Sequence, residues 1–515
     1  MSGSSSRFRR GVVASVLAQL VGIVDNLILI PLFLASWGPR LYGEWLCLFA
    51  AVAYVALADM GFSSYVVNRL NQAWARSERR AYLETLHSAL AFSLLVSLAV
   101  LAVIVAGALT LPLERWFGIE VLADRRSVVC LLGLQVTLSI PRGLVLGVYR
   151  SIGEYGRGAM LSNVRRVAAL GTTASLLLVG VGPLGVAAGQ LAPLVALFAF
   201  ALTDLRRRHP WLRFGLSHRV PGLARTFLRP SLLFLTVQMS LVLVLQGTTL
   251  AAGALFGAVF VPVFAATRTM ANVVRQLTGA LSNALWPEIT TMSARGQTAE
   301  LHRIHLTFVK SVSALALFAG AALAVCGGEL FAVWTRSELE FDQGLLTDFL
   351  VLLVLQTPWT ASSYLLLATN RHERLARWQL GAALGSLACG VLLASAVGPR
   401  GLVWGVILVE ACTCSFLVPR AAVRIVGTPF ATYVREVYGR GLLVLAIVAA
   451  VIHATSPAFE HGSVPAIAAR ASLAATAVAA ATWFLWLGRD ERAQLLRLAT
   501  FRLIPSPLRP HERQS

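Results

Sequence analysis

Two arginines stand inside an apolar stretch that is long enough to cross a bilayer. Residues 260–287 read FVPVFAATRTMANVVRQLTGALSNALWP and include Arg268 and Arg275. A guanidinium in hydrocarbon costs from about 2.5 to more than about 10 kcal/mol, so an arginine within a membrane normally faces protein, water or a ligand. Their spacing of about two helical turns places both side chains on one helical face, about 10 Å apart along the axis.

The same face carries neutral polar side chains and no acid. They are Asn272, Gln276, Ser282 and Asn283. One polar stripe on an otherwise apolar helix is typical of the wall of a hydrated cavity, and this is the interpretation we favour. The alternative is a structural ion pair between the arginines and acids on a neighbouring helix. Arg142, which follows Pro141 in another apolar segment, is a further candidate for the same cavity.

Three acids lie within other apolar segments, at Asp25, Asp59 and Glu410. A buried acid that gains or loses a proton can bias one of two conformations, so all three are candidates for coupling to a proton or sodium gradient. Asp25 is the strongest candidate, because it could pair with an arginine across the cavity. Asp59 is equally compatible with an interfacial cap or ion pair, and Glu410 with a lone, satisfied acid.

Composition excludes an ordinary soluble globular protein. Of 515 residues, 57% are hydrophobic and 13% are charged, and the mean hydropathy is +0.72. The formal charge of +20 comes from arginine, since Lys310 is the only lysine. The six cysteines form no CxxC pair, so neither a zinc site nor a disulfide framework is indicated. His302 and His305 could share a metal, but their spacing is better explained as a solvated face.

The apolar segments predict an all-α polytopic membrane protein with about 14 transmembrane helices, at about 20 residues per crossing. Arginines such as Arg69 and Arg76 cluster in alternate loops, which predicts cytoplasmic termini. The predicted spans are 11–34, 41–62, 83–111, 127–148, 159–181, 184–203, 231–250, 256–286, 308–326, 349–369, 378–397, 402–419, 442–453 and 467–487.

Two halves of the chain repeat. GVGPLGVAAG, with Pro183, and AVGPRGLVWG, with Pro399, occupy matching places in the two halves. This predicts two six-helix lobes related by a pseudo-twofold axis along the membrane normal, followed by two further helices. The predicted divisions are an N-terminal lobe (1–205), a basic cytoplasmic linker (206–229), a C-terminal lobe (230–425), two helices (426–488) and a basic cytoplasmic tail (489–515). The linker is either a surface helix that binds anionic lipid or, as we favour, a topological anchor.

Several motifs resemble a known family. WGPRLYGEW (37–45), ALADMGFSSYVVNRLNQ (56–72), WPEITTMSARGQTAEL (286–301) and the paired GPxG turns are similar to the polysaccharide transporter branch of the multidrug/oligosaccharidyl-lipid/polysaccharide exporter superfamily. The likeness runs from about residue 11 to about residue 424 in span count and motif order.

The resemblance implies a transporter and not an enzyme. It implies a flippase that moves an undecaprenyl-diphosphate-linked oligosaccharide, such as an O-antigen or exopolysaccharide repeat unit, from the inner to the outer leaflet of the bacterial inner membrane by alternating access. Arg268 and Arg275 would then bind the diphosphate, and Asn272, Gln276 and Asn283 the sugar hydroxyls. Membrane lipids, a polysaccharide polymerase and glycosyltransferases are the implied partners; no cofactor and no nucleic acid are expected.

Two rivals remain open. A multidrug exporter of the same superfamily is the first, although cationic drugs would favour an acidic cavity over a cationic one. A membrane enzyme acting on lipid-linked glycans is the second. Such an enzyme needs an acidic catalytic pair, and the clustered acids of the predicted outer loops, in 338–342, are explained by a solvated loop. No phosphate-binding loop appears, which argues against ATP hydrolysis by this chain.

The sequence makes a prediction for Asp25. Asp25→Asn should remove any dependence of transport on the proton or sodium gradient, because the amide carries no titratable charge. The measurement is transport into liposomes with and without an imposed gradient. Gradient dependence that survives the substitution would place the coupling elsewhere.

Overall fold

The structure is a computed structural model that describes residues 2–54, 62–114, 119–294, 296–369, 372–455, 464–489 and 491–493. Within these ranges, some side chains are not described, among them those of 2–20 and 283–288. All the regular elements of the described ranges are helices, which confirms the predicted all-α class.

Sixteen α-helices follow one another along the described chain. They are α1 (Ser2–Ala53), α2 (Phe62–Ala75), α3 (Arg79–Thr110), α4 (Arg125–Ser151), α5 (Tyr155–Leu178), α6 (Pro183–Arg208), α7 (Leu223–Phe256), α8 (Phe260–Ala294), α9 (Thr298–Thr335), α10 (Gln343–Ala368), α11 (His372–Val397), α12 (Gly401–Cys412), α13 (Cys414–Ile425), α14 (Phe430–Tyr433), α15 (Arg440–Thr455) and α16 (Val464–Ala481). Two π-helical segments are also present: Val434–Gly439 lies between α14 and α15, and Thr482–Trp486 follows α16.

The predicted spans fall on these helices, with local differences. The first two spans share α1, which changes direction at Gly38, where φ is +71° and a side chain would be strained. The span 402–419 is divided between α12 and α13 at Thr413. Nine helical segments in the described part of the chain are long and apolar enough to cross a membrane, and α5 and α8 are not among them.

One predicted loop is a helix. The sequence places Arg69 in an inner loop, whereas the structure places it in α2. The reason is an apolar face at helical spacing, since Phe62, Val66 and Leu70 are all buried. They pack into a cluster with residues of α3, α4, α6 and α7.

The chain divides into two compact units. Unit 1 comprises Met1–Ala280, Gly327–Leu352 and Arg371–Cys414, and unit 2 comprises Leu281–Cys326, Leu353–Asn370 and Ser415–Ser515. The predicted lobe and linker boundaries stay a prediction.

Small residues let two helices of unit 1 approach closely. A Cβ on Gly405 of α12 would lie 2.2 Å from the backbone nitrogen of Gly390 in α11. A Cβ on Gly401 would lie 2.4 Å from the backbone nitrogen of Ala394. Lipid tails are as apolar as leucine, so burying apolar side chains does not drive helices together in a membrane, and close packing does so instead. The GLVWG segment is a GxxxG motif, which permits such packing.

Polar clamps join other helices of unit 1. Arg157 of α5 donates to both carboxylate oxygens of Asp204 in α6, at 2.8 and 2.6 Å. The Tyr149 hydroxyl of α4 donates to the same carboxylate at 2.7 Å. One carboxylate therefore fixes three helices at one end.

The segment after α6 is docked on α3. The backbone N–H of His218 donates to Nδ1 of His87 at 3.0 Å, and the N–H of Val220 donates to Ser88 Oγ at 2.9 Å. Trp211 stacks on Trp74 at a centroid distance of 5.5 Å. The stretch 209–222, in the predicted linker, is therefore held by specific contacts, which neither linker interpretation included.

Lys310 and His305 are two of the buried polar residues of unit 2. Lys310 of α9 donates to the carboxylates of Glu436 and Glu491 at 3.2 and 3.0 Å. His305 is 2% exposed, and its Nε2 lies 3.2 Å from the Ser362 hydroxyl. The interpretation of the two histidines as a solvated face is therefore wrong for His305, because α9 begins ten residues before the predicted span, at Thr298. No metal-binding group of three occurs among the described residues.

Glu44, in the WGPRLYGEW motif, has a structural function. Its carboxylate is fully buried and accepts the backbone N–H groups of Glu120, Val121 and Leu122 at 2.8 to 3.1 Å. It thereby fixes the segment after α3 to α1.

Glu44→Ala should destabilise the protein, because three backbone donors lose their acceptor at a cost of about 1–3 kcal/mol for each buried group left unpaired. The measurement is the thermal unfolding midpoint in detergent. Glu120→Ala is the control, since the Glu120 side chain is exposed. Equal midpoints for the two variants would contradict the role given to Glu44.

Candidate functional site

The part of the predicted α8 stripe that carries both arginines lies in unit 1, and its first arginine is held by α7. Arg268 Nη1 donates to the Leu245 carbonyl at 2.8 Å and to the Thr248 hydroxyl at 3.2 Å. Its Nη2 donates to the Thr249 hydroxyl at 3.0 Å, and the guanidinium lies 5.4 Å from the centre of the Phe264 ring. Arg268 is therefore half-buried and fixed in place, with its charge uncompensated by these neutral partners.

Arg275 is the more accessible member of the pair. Its side chain is exposed, and it interacts electrostatically with Arg268 and with Glu410. Glu410 is buried, at 6% exposure, in the last turn of α12 before the break at Thr413. We call Arg268 and Arg275 the α8 arginines. One of them thus has an acid nearby, as the ion-pair alternative proposed, while the other is held by neutral groups.

A second cationic group lies on neighbouring helices of unit 1. Arg142 of α4 interacts electrostatically with Arg165 and Arg166 of α5. We call these three the α4–α5 arginines. Asp25 of α1 is half-buried and interacts with both Arg166 and Arg165.

Arg166 of α5 and Gln276 of α8 both reach Gly22 of α1. A Cβ at this position would lie 3.7 Å from Nη1 of Arg166 and 3.7 Å from Oε1 of Gln276. Gln276 directly follows Arg275, so the α8 stripe and the α5 arginines reach the same point of α1. Three helices that are distant in sequence therefore converge on one polar region.

The backbone of α1 is irregular at the same level. Pro31 has no N–H, so the Leu27 carbonyl lacks its usual helical donor. The indole N–H of Trp334 donates to that carbonyl at 2.7 Å. One turn earlier, the Asn26 amide donates to the Gly22 carbonyl at 3.1 Å and so points back along its own helix. The Leu27 and Gly22 carbonyls and the Asn26 amide thus have partners of their own, whereas Asp25 interacts with the arginines.

Two guanidinium nitrogens lack an acceptor. The Nε atoms of Arg142 and Arg165 are buried and have no hydrogen-bond partner among the described atoms. A guanidinium does not lose its proton in proteins, so an unpaired buried N–H is costly and calls for an acceptor. An oxyanion such as a phosphate supplies several acceptors in the fork geometry of arginine.

Charge accounting gives the region its chemical character. The two groups of arginines and the acids that interact with them comprise five arginines and two acids, so the formal charge is positive while both acids are ionised. Such a site attracts anions and repels cations. No single side chain in it has the geometry of a nucleophile activated by a neighbouring base.

The structure brings together most of the residues singled out from the sequence. Arg268, Arg275 and Arg142 belong to the two groups of arginines. Asp25 and Glu410 interact with members of these groups, Gln276 reaches Gly22, and Asn272 lies half-buried on α8 between the α8 arginines. The side chain of Asn283 and the whole of Asp59 lie outside the described residues.

Sequence reasoning missed Arg165 and Arg166. Both lie inside the predicted span 159–181, in the segment SNVRRVAAL, so two adjacent charges within a span were the available signal. The high mean hydropathy of the surrounding segment made them easy to overlook.

Comparison with solved structures identifies the fold. A multidrug resistance MATE family transporter of the MOP superfamily in its inward-facing conformation aligns with a TM-score of 0.65 and 14% identity, over 79% of this chain and 94% of that one. The outward-facing conformation of such a transporter aligns with a TM-score of 0.53 and 16% identity, over 81% and 95%. A MATE in its bent conformation gives a TM-score of 0.58 at 14% identity, over 82% and 95%.

This chain has the fold of the MATE transporters. By sequence, it matches no family model and no curated protein. The MATE-type fold, together with the nine apolar helices of the described chain, makes it a multi-pass membrane protein. The cationic region is thus built on the MATE-type helices α1, α4, α5, α8 and α12.

Arg166→Gln should weaken anion binding by at least about tenfold, because the loss of one charge-assisted bond costs about 1.4 kcal/mol or more. The measurement is calorimetric titration of the purified protein with dimethyl diphosphate, a small diester with the charge of a lipid-linked diphosphate. Arg150→Gln is the control, since Arg150 is exposed at the end of α4. Equal affinities for both variants would exclude the α5 arginines from the site.

Proposed function

We propose that this protein is a flippase for lipid-linked oligosaccharides. Its cargo would be an undecaprenyl-diphosphate-linked O-antigen or exopolysaccharide repeat unit, moved from the inner to the outer leaflet by alternating access. The observation that carries the proposal is that Arg166 of α5 and Gln276 of α8, which directly follows Arg275, both reach Gly22 of α1, so that two groups of arginines border one part of a membrane-spanning fold.

The positive charge of this region suits a ligand that is an anion with more than one negative charge. A diphosphate diester carries about two negative charges and several acceptor oxygens, and arginine binds phosphate oxygens in pairs. Arg275 is accessible, whereas Arg268 is anchored by Thr248 and Thr249. A diphosphate could therefore contact an accessible and a fixed guanidinium without drawing the fixed one from its place.

The neutral groups of the stripe suit the sugar part of this cargo. Asn272 and Gln276 are both half-buried on α8, and an amide offers donors and an acceptor to hydroxyl groups. Charge would select the diphosphate, and the amides would orient the first sugars. The apolar tail need not enter the polar region, because it can remain in the hydrocarbon of the bilayer.

Multidrug export is the second candidate. It is favoured by the structural neighbours, one of which is described as a multidrug resistance transporter. Against it, a cationic drug would meet an excess of arginines. Asp25 and Glu410 both lie near arginines, so neither offers a cation an isolated negative charge. An enzyme acting on lipid-linked glycans is supported by no arrangement of side chains in the described region.

The cellular setting belongs to the same proposal. We place the chain in the bacterial inner membrane with cytoplasmic termini, on the distribution of arginines among its loops. Its partners would be the glycosyltransferases that supply the lipid-linked glycan and the polymerase that consumes it.

Reconstitution in liposomes tests the proposal. The wild-type protein should move a fluorescent undecaprenyl-diphosphate oligosaccharide between leaflets, and Arg268→Ala/Arg275→Ala should abolish this movement by removing both α8 charges. Accessibility of the fluorophore to a membrane-impermeant quencher measures the movement.

The matched control is Arg150→Ala/Arg207→Ala, which removes two exposed arginines from helix ends and should leave the movement intact. A cationic dye is assayed in the same liposomes. Dye transport that persists while the glycan stays in its leaflet would replace the flippase proposal with drug export.

A further inference from the structure

Asp25 is the acid that the structure places beside the α4–α5 arginines. It lies one turn after Gly22, where Nη1 of Arg166 approaches α1, and it interacts electrostatically with Arg165 and Arg166. Asn26 is turned back to the Gly22 carbonyl and does not compete for these guanidinium groups. Asp25 therefore supplies part of the negative charge that an incoming anion would supply.

A carboxylate and a phosphate would bind the same guanidinium groups here. Both are anions that accept hydrogen bonds from guanidinium N–H groups, and they repel each other at short range. While Asp25 is ionised, it neutralises part of the arginine charge and opposes the arrival of a second anion. A proton on Asp25 removes both effects.

We infer that Asp25 is an internal counter-ion of Arg165 and Arg166, and that a proton on Asp25 and an anionic cargo bind together and not in competition. The inference rests on the proposed function, because it assumes that the cargo is an anion. It adds the sign of the coupling between proton binding at Asp25 and cargo binding. The sequence indicates Asp25 as a coupling residue but does not give this sign.

The sign follows from thermodynamic linkage. If a proton on Asp25 strengthens cargo binding by some factor, the cargo strengthens proton binding by the same factor. Proton antiport needs the opposite sign, because proton and cargo must then exclude each other from the site. An acid near arginines favours co-binding for an anionic cargo, whereas the same acid would favour exchange for a cationic drug.

The other charged groups around Asp25 do not change this sign. Those on the packed helices are Arg165 and Arg166 of α5 and Arg142 of α4, and on α8 Arg275 lies next to Gln276. The part of α7 that spans Met239–Phe256 contains no charged residue. Glu410, the other acid, interacts with Arg275. Since arginine stays charged at all working pH values, only the acids titrate.

The test measures binding, apart from transport. Dimethyl diphosphate is titrated into the purified full-length protein from about pH 5 to about pH 8, a range in which a carboxyl in a buried site can titrate. Both phosphates of this diester stay ionised throughout, so that any pH dependence comes from the protein. The variants are Asp25→Asn, Asp25→Glu as the charge-retaining form, and Asp124→Asn as a control at an exposed acid.

The wild-type protein should bind more tightly as the pH falls, by between about 5-fold and about 150-fold, the usual range of a coupling free energy. Asp25→Asn should bind tightly at every pH, Asp25→Glu should keep the pH dependence, and Asp124→Asn should match the wild type. Thermal melting of each variant checks that it is folded.

Two results would overturn the inference. One is wild-type binding that weakens towards acid pH, as antiport requires, and the other is an Asp25→Asn protein that keeps the wild-type affinity and pH profile. If either occurs while the wild type still flips the lipid-linked glycan in liposomes, the proposed function stands and this inference alone is lost. Absence of diphosphate binding together with absence of flipping removes both.

Discussion

A guanidinium that cannot lose its proton is the constraint on which the polar part of unit 1 depends. Each arginine within the membrane fold must find acceptors or water, and the structure meets this need in different ways. Arg268 takes a carbonyl and two threonine hydroxyls of α7, Arg275 reaches an accessible position near Glu410, and Arg165 and Arg166 interact with Asp25. The helices are thereby arranged around a positive region that no apolar packing would produce.

The sequence predicted one side of this region well. The α8 stripe follows from helical geometry alone, since the spacing of Arg268 and Arg275 puts them on one face whatever surrounds the helix. The remainder depends on tertiary structure. No periodicity could show that Thr248 and Thr249 hold Arg268, or that Gly22 lies between Arg166 and Gln276. Glu44, which serves the backbone 76 to 78 residues further on, is invisible to local reasoning for the same reason.

The fold and the cargo are separate questions in this protein. At 14% to 16% identity, the likeness to MATE structures extends over about four-fifths of the chain and describes the path of the helices. The charge on those helices is a property of this sequence. A MATE-type scaffold with five arginines near two acids presents an electrical environment opposite to one suited to cations. The likeness therefore shows the fold, and the proposal of an anionic cargo rests on the chemistry of the site.

Pro31 connects two distant parts of the chain. By lacking an N–H it frees the Leu27 carbonyl, and Trp334, more than 300 residues later, uses that carbonyl as its acceptor. Neither residue is explained without the other. An ordinary residue at position 31 would restore the helical donor and make the indole redundant, whereas a residue without a donor at position 334 would leave a bare carbonyl on α1. Positions 31 and 334 should therefore covary: related chains that lack the proline should also lack the tryptophan.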